Sequence, residues 1–264
     1  MIISISMLKG GCGKTTTCAN LGAAFARDGK KVLLVDADPQ ANLSQSFGII
    51  DEPTTNLYTE LRHEMEGDMV DGKEGGDLRR VLIHLKPGLH LIPASLDLGT
   101  AELDLVHTYR REHVLDELLQ PLAKEYDVIL IDCPHALGLL TVNALVASDF
   151  VLIPLPAEFL PLKGVHSFMR EFDKIRRRIH ARVELLGLLL TRYDDRKLIN
   201  AAIRKTLTEH YPGKVFDQVV RTNVQLVKAQ EAGKDIFSFD KQSNGSKDYQ
   251  AVADELWKRL GAAR

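Results

Sequence analysis

Cysteine is scarce in this 264-residue chain, and its scarcity excludes several classes at once: Cys12, Cys18 and Cys133 are too few and wrongly spaced for a disulfide framework, a zinc site or an iron–sulfur cluster. They read as reduced thiols. Aromatic residues make up only 6% of the chain, with a single tryptophan. No apolar run approaches the roughly 20 residues of a membrane span, and Met1 leads directly into Ile2-Ile3-Ser4-Ile5 without a charged segment and cleavage site. The chain therefore reads as cytoplasmic. Internal repeats and low-complexity linkers are also missing, so with 45% hydrophobic residues the length suits one large α/β domain over residues 1–264.

Net charge is close to neutral at −2, yet its distribution is uneven. Residues 1–132 hold 13 Lys/Arg against 21 Asp/Glu, whereas residues 133–264 hold 21 against 15. A basic second half on an acidic whole points to a localised anionic partner.

Short apolar runs alternate with longer stretches of helical period, which predicts βαβ units and a mostly parallel, doubly wound sheet. Strands are expected at 1–6, 31–35, 89–93, 128–132, 150–154 and 185–191, and helices at 15–28, 111–125, 162–182 and 248–260. Residues 51–80, polar and acidic through Glu64–Gly76, read as a surface excursion with one short helix near Leu57–Glu64, and Gly233–Phe239 as a loop. In the last helix Tyr249, Val252, Ala253, Leu256 and Leu260 share one face, which fits docking onto a core better than membrane targeting.

The first expected strand runs into Lys9-Gly10-Gly11-Cys12-Gly13-Lys14-Thr15-Thr16. A glycine-rich turn between strand and helix turns several backbone N–H groups to one side, and the helix start adds partial positive charge, so phosphate is the natural ligand. The literal phosphate-loop pattern needs glycine at position 8, where this chain has Leu8. Lys14 remains placed for the β- and γ-phosphates and the Thr15 hydroxyl for Mg²⁺. Lys9 is surplus to that scheme. On the outer wall of the loop it can fold back on its own nucleotide or reach a partner's, and Gly10 and Gly11 leave room for close approach. Cys12 lies inside the loop, so a thiol reagent is expected to inactivate the protein and bound Mg-ATP to shield it. Asp36, Asp38 and Asp132 end apolar strands at the edge where α/β sheets meet their ligands; Asp132 suits a Walker B carboxylate on Mg²⁺, and Asp36 and Asp38 are two candidates for handling the attacking water.

The loop, Asp36-Ala37-Asp38-Pro39-Gln40, Asp132-Cys133-Pro134, Gly138–Leu145 and Ala157-Glu158-Phe159 together resemble the deviant Walker A ATPases of the ParA/Soj chromosome and plasmid partition group, along nearly the whole chain. The resemblance implies a single P-loop domain that uses ATP and Mg²⁺, with Lys9, Lys14 and Asp38 in catalysis, Lys9, Gly10, Gly11, Cys12, Gly13, Lys14, Thr15, Thr16 and Asp36 around the nucleotide, and Thr15 and Asp132 on the metal. It assigns the water-handling role to Asp38 and a switch role to Asp36. It also implies an ATP-bound homodimer in which Lys9 reaches the other subunit's phosphates, non-specific DNA binding at the nucleoid, and stimulation by a ParB-type or cargo-adaptor partner. Because the chain opens on the first strand, neither an N-terminal helix-turn-helix domain nor a basic arm is expected.

Candidate DNA contacts lie in the basic half. Five basic residues stand between Lys174 and Arg182 with no acid among them, which singles out Arg177 and Arg178. Arg196 matches a family DNA position by its context, and Lys197 and Arg221 accompany it; such phosphate contacts carry affinity without a base code. The chain departs from the family at His135, where a second proline is usual, at Thr222, where the basic residue has moved to Arg221, and at Gln230 in place of a proline. A MinD-like membrane cycle or the positioning of a non-DNA cargo would use the same nucleotide chemistry.

Overall fold

The computed structural model describes residues 1–67, 75–157, 161–179 and 181–262. Strand β1 (Ile2–Ile5) passes through the glycine loop into α1 (Lys14–Arg27), and β2 (Val32–Asp36) is followed by the single turn α2 (Asn42–Gln45) and by α3 (Leu57–Gly67). A 3-10 turn at Leu78–Val81 precedes a hairpin of β3 (Ile83–Lys86) and β4 (Leu89–Ile92), then α4 (Leu98–Val106) and α5 (Val114–Leu119). β5 (Val128–Asp132), α6 (Leu139–Ala147), β6 (Phe150–Pro156), α7 (Pro161–Ile179), β7 (Glu184–Thr191) and α8 (Leu198–His210) continue the alternation, which closes with α9 (Val224–Glu231), α10 (Ile236–Phe239) and α11 (Asn244–Ala262).

The strands form one sheet in the order β3-β4-β2-β5-β1-β6-β7, parallel except for the antiparallel edge strand β3. This is the doubly wound α/β fold expected. Side chains alternate across the pleat, so each strand feeds two cores. Ile3, Ile5, Leu34 and Leu130 pack on one face with α1 and α11, while Ile2, Leu33, Val35, Ile129 and Ile131 pack on the other with Leu61, Leu98, Leu115 and Leu140. A third cluster around β6 and β7 takes Phe168 and Phe172 from α7 and Leu207 from α8. Each of these buried aliphatic side chains contributes about 1.5–3 kcal/mol, which explains why the central strands read as unbroken apolar runs.

Register places the site. Ile5 of β1 and Asp36 of β2 both lie opposite Asp132 of β5, so three strands end level at the edge where the glycine loop begins. The apolar face of α11 is used up inside: Tyr249, Val252, Ala253, Leu256 and Leu260 are all buried, and Tyr249 Oη lies 3.2 Å from Thr17 Oγ1 on α1. Core docking is thus the fate of that face. Among the described residues no helix is long and apolar enough to cross a membrane.

Several local expectations change. Leu57, Leu61 and Met65, spaced by four along α3, are buried with Leu78 and Val81, so part of the supposed surface excursion is core; residues 68–74 lie outside the described residues, as do Glu158, Phe159 and Arg264. β3 was not expected: Gly88, at φ 76°, turns the chain back from β4. The helical pattern of 111–125 shrinks to α5, and the unexpected α4 precedes it, with Arg110 at φ 51° between the two. α11 starts at Asn244 rather than Asp248.

Residues 236–239 form a helical turn instead of open loop because Asp235 caps them. Its carboxylate accepts from Phe237 N and Ser238 N at 3.0 Å each, from Ser238 Oγ at 2.7 Å and from Lys86 Nζ at 2.8 Å. Burial alone would raise this carboxyl, but the bonds from Lys86 and Ser238 outweigh it and hold it below the usual value. Asp235→Ala is expected to cost about 2–4 kcal/mol at pH 7, read from denaturant unfolding. Since the folded-state pKa is depressed, the contribution is present above the ordinary carboxylate pKa of about 4 and is lost as pH falls through the lower folded value, so the gap between the two proteins closes in acid.

Candidate functional site

The glycine loop takes its shape from two residues in the left-handed region, Gly11 at φ 68° and Gly13 at φ 92°. Side chains rarely adopt that conformation, and the alternation of handedness is what curls successive N–H groups to one side. Gly13 is also the N-cap of α1 and supplies no side-chain cap, which leaves the first N–H groups of that helix for a ligand. The loop is pinned from β7, where Thr191 Oγ1 donates to Cys12 O at 3.0 Å. Lys14 is only 7% exposed and has no ion-pair partner among the described residues.

Three carboxylates stand at this edge of the sheet. Thr15 Oγ1 donates to Asp132 Oδ2 at 2.7 Å, while Asp132 Oδ1 is buried without a hydrogen-bond partner among the described residues. Burial first, and then the neighbouring Asp36 charge, push the Asp132 carboxyl well above its ordinary range, against the pull of Thr15 and Lys14. Asp36 is raised to about 7, again by burial, although Ser44 N (2.8 Å), Ser44 Oγ (2.7 Å) and Asp38 N (3.3 Å) all donate to it. Its carboxylate faces these protein donors: Asp36 holds the chain that carries Asp38. Asp38 accepts from Gln40 N at 3.0 Å through Oδ1, and Ala41 at φ 51° closes the turn behind it.

The atoms fit their expected ligands. An unpartnered buried carboxylate oxygen beside a threonine hydroxyl suits a hard divalent cation such as Mg²⁺, and a nearly buried ammonium at a curled N–H loop suits polyphosphate. Next to Gly13 and Thr16 opens a cleft of about 510 Å³, bordered by Thr191, Lys197, Arg221 and Val224 and of a size for a nucleoside. Lys9 and Gly10 stand on the exposed outer wall, and a Cβ built on Gly10 would meet nothing within 4 Å.

The basic residues divide into two places. Arg177 and Arg178 are exposed near the end of α7, whereas Arg196, Lys197 and Arg221 cluster where β7 and its following segments reach the nucleotide edge. Arg196 is 90% exposed and makes a two-point pair with Asp194, Nε–Oδ1 at 3.0 Å and Nη2–Oδ2 at 3.1 Å. Arg221 is bound through its backbone N and its guanidinium to Asp248, with Nη2–Oδ1 at 2.6 Å, which ties this segment to α11 and leaves less free charge than expected. His135 is exposed. Ser44 and Thr191 were missed, since a lone hydroxyl eight residues after Asp36 or at a strand end carries no motif.

Left-handed glycines at an uncapped helix start, a buried lysine and strand-end carboxylates on a doubly wound sheet define a P-loop nucleotide-binding protein. An AAA domain family model (AAA_31) matches residues 1–185. The chain is 38% identical to the chromosome partitioning protein ParA of Caulobacter vibrioides over 98% of this chain and 94% of that one, and 37% identical to the chromosome-partitioning ATPase Soj of Thermus thermophilus over 99% and 97%. A structure of cobyrinic acid a,c-diamide synthase from Mycobacterium smegmatis with an ATP analogue and magnesium superposes with a TM-score of 0.83 at 30% identity, covering 100% of this chain and 96% of that one. The chain belongs to the ParA/Soj family of partition ATPases. It is an ATPase that uses ATP and Mg²⁺.

The thiols correct one expectation. Cys12 is 1% exposed, and burial raises its pKa despite Lys14, so it is neither accessible nor activated. Cys18 and Cys133 are buried too, and burial raises both. Titration with a chromogenic disulfide should find three thiols in denaturant and no fast-reacting thiol in the native protein, with or without Mg-ATP.

Proposed function

We propose that this ATPase works as a nucleotide-dependent switch on DNA: ATP draws two copies together over their nucleotides, the pair binds DNA without reading sequence, and hydrolysis releases it. The observation that carries the reading is Lys9. It stands exposed on the outer wall of the phosphate loop beside unobstructed Gly10, while Lys14 already fills the inner phosphate position. A second lysine so placed serves best by reaching phosphates across an interface, which makes nucleotide state and association one equilibrium.

In this reading Lys9, Lys14 and Asp38 act in hydrolysis. Gly10, Gly11, Cys12, Gly13, Thr15, Thr16 and Asp36 shape the nucleotide site, and Thr15 and Asp132 hold Mg²⁺, which would offset charge on the phosphate oxygens. Asp38, 7% exposed at the end of its turn, orients the attacking water. Turnover is slow because that water is positioned by loops rather than by a fully built site, and a ParB-type partner completes it. Arg177, Arg178, Arg196, Lys197 and Arg221 supply the DNA surface, with Arg221 contributing least because of Asp248. The buried apolar face of α11 argues against a MinD-like membrane cycle. The single sheet supports one ATPase domain over 1–264.

DNA binding should be measured with ADP and with ATP at about 50 and 200 mM salt, where a few phosphate contacts predict a drop of about ten- to a hundredfold in ATP-state affinity. Lys9→Ala is expected to keep ATP binding and lose ATP-dependent DNA binding; binding that ignores nucleotide or survives the substitution overturns the switch. Asp38→Ala should bind ATP and DNA but hydrolyse about a hundredfold more slowly in single-turnover assays.

A further inference from the structure

Helix α6 begins directly after the loop that follows Asp132, and its N-cap Gly138 has no side chain to satisfy the first amides. The missing cap comes from another helix. Glu102 of α4 accepts from Leu139 N at 2.7 Å through Oε2 and from Leu140 N at 3.0 Å through Oε1. A carboxylate at a helix start is favoured by both hydrogen bonding and the helix dipole. The fit is close: a Cβ built on Gly138 would lie 2.6 Å from Glu102 Oε2 and nearer still to Oε1. At its other end the loop is locked to the sheet, since Ala37 N donates to Asp132 O at 3.0 Å and Cys133 N to Ile5 O at 3.2 Å. Residues 134–137 lie between these anchors, with His135 and Ala136 exposed and Ala136 O accepting from Thr141 Oγ1 of α6 at 2.6 Å.

The same helix also meets the other carboxylate loop. Just before α4, Ala94 N donates to Ser44 Oγ at 3.2 Å, and Ser44 in turn holds Asp36. Gly99, in the first turn of α4, faces Pro39, whose Cβ is 3.9 Å from where a Gly99 Cβ would stand. α4 and its lead-in therefore span both loops that carry the site's acids.

We propose that Glu102 is a positioning residue for ATP hydrolysis: by clamping the start of α6 it sets the 134–137 loop relative to Asp132, from a helix that also braces the Asp36–Asp38 segment. It touches no substrate. Its effect falls on the hydrolytic step, because ATP is gripped by the glycine loop and Lys14, whereas Glu102 holds the start of α6. The inference rests on the ATPase activity and not on the DNA switch, so loss of DNA binding leaves it intact.

Glu102→Ala and Gly138→Ala break the clamp from opposite sides, the second by evicting the carboxylate while leaving it in the sequence. Each is expected to slow single-turnover hydrolysis about tenfold or more and to leave the Kd for Mg-ATP within about twofold. The double variant should be no slower than the slower single one, the non-additivity of a shared contact. Glu102→Gln, which keeps an amide oxygen as acceptor, should recover part of the rate. Independently of activity, amide exchange at Leu139 and Leu140 in the nucleotide-free protein should accelerate in Glu102→Ala while the β5 amides stay protected. Hydrolysis within twofold of wild type in Glu102→Ala, additive single effects, or a loss of ATP affinity that follows a general fall in thermal midpoint would each overturn the proposal.

Discussion

Two carboxylates held side by side away from water organise this protein. Parallel pairing of β2 with β5 puts Asp36 opposite Asp132 at the sheet edge, both fully buried, with Asp38 two residues on. Like charges in such a place are costly, and the surrounding structure divides the burden unequally. Asp36 is met by three donors from its own segment, whereas Asp132 receives one hydroxyl and keeps an oxygen unpartnered. The first carboxylate thus turns inward to brace a loop, and the second keeps an oxygen that suits a cation.

Much of the rest of the fold keeps those groups in place. α1 carries Lys14 and Thr15, and it is held by Tyr249 at Thr17 and by Asn20, which donates to Thr16 O and accepts from Ile236 N. Thr191 fixes the phosphate loop from β7. On the opposite face of the sheet, α4 and its lead-in reach both acid-bearing loops through Glu102 and Ser44. A site braced in this way offers nucleotide a set of preformed N–H groups.

Much of this was legible in the chain itself. The alternation of apolar runs and helical period yields the doubly wound sheet, and Lys9–Thr16 and the strand-end aspartates mark the nucleotide edge. The failures have local causes. β3 and α4 are short and carry weak patterns, and α10 exists because Asp235 caps a turn whose Ile236 and Phe237 find a core. Cys12 looked reactive because the loop was taken as open, yet β6 and β7 cover its thiol. Arg221 looked like a free cation because Asp248, 27 residues on, has no sequence signal as its partner.

The alternation of the central strands and helices, the phosphate loop and the identity of its chemistry were legible in the sequence alone, because periodicity and glycine placement act over a few residues. What each carboxylate contacts was decided only by tertiary structure. Asp36, Asp38 and Asp132 are chemically alike and similarly placed at strand ends. Their surroundings separate through Ser44, Thr15 and strand register, contacts made across 8 and 117 residues of chain that no local pattern encodes.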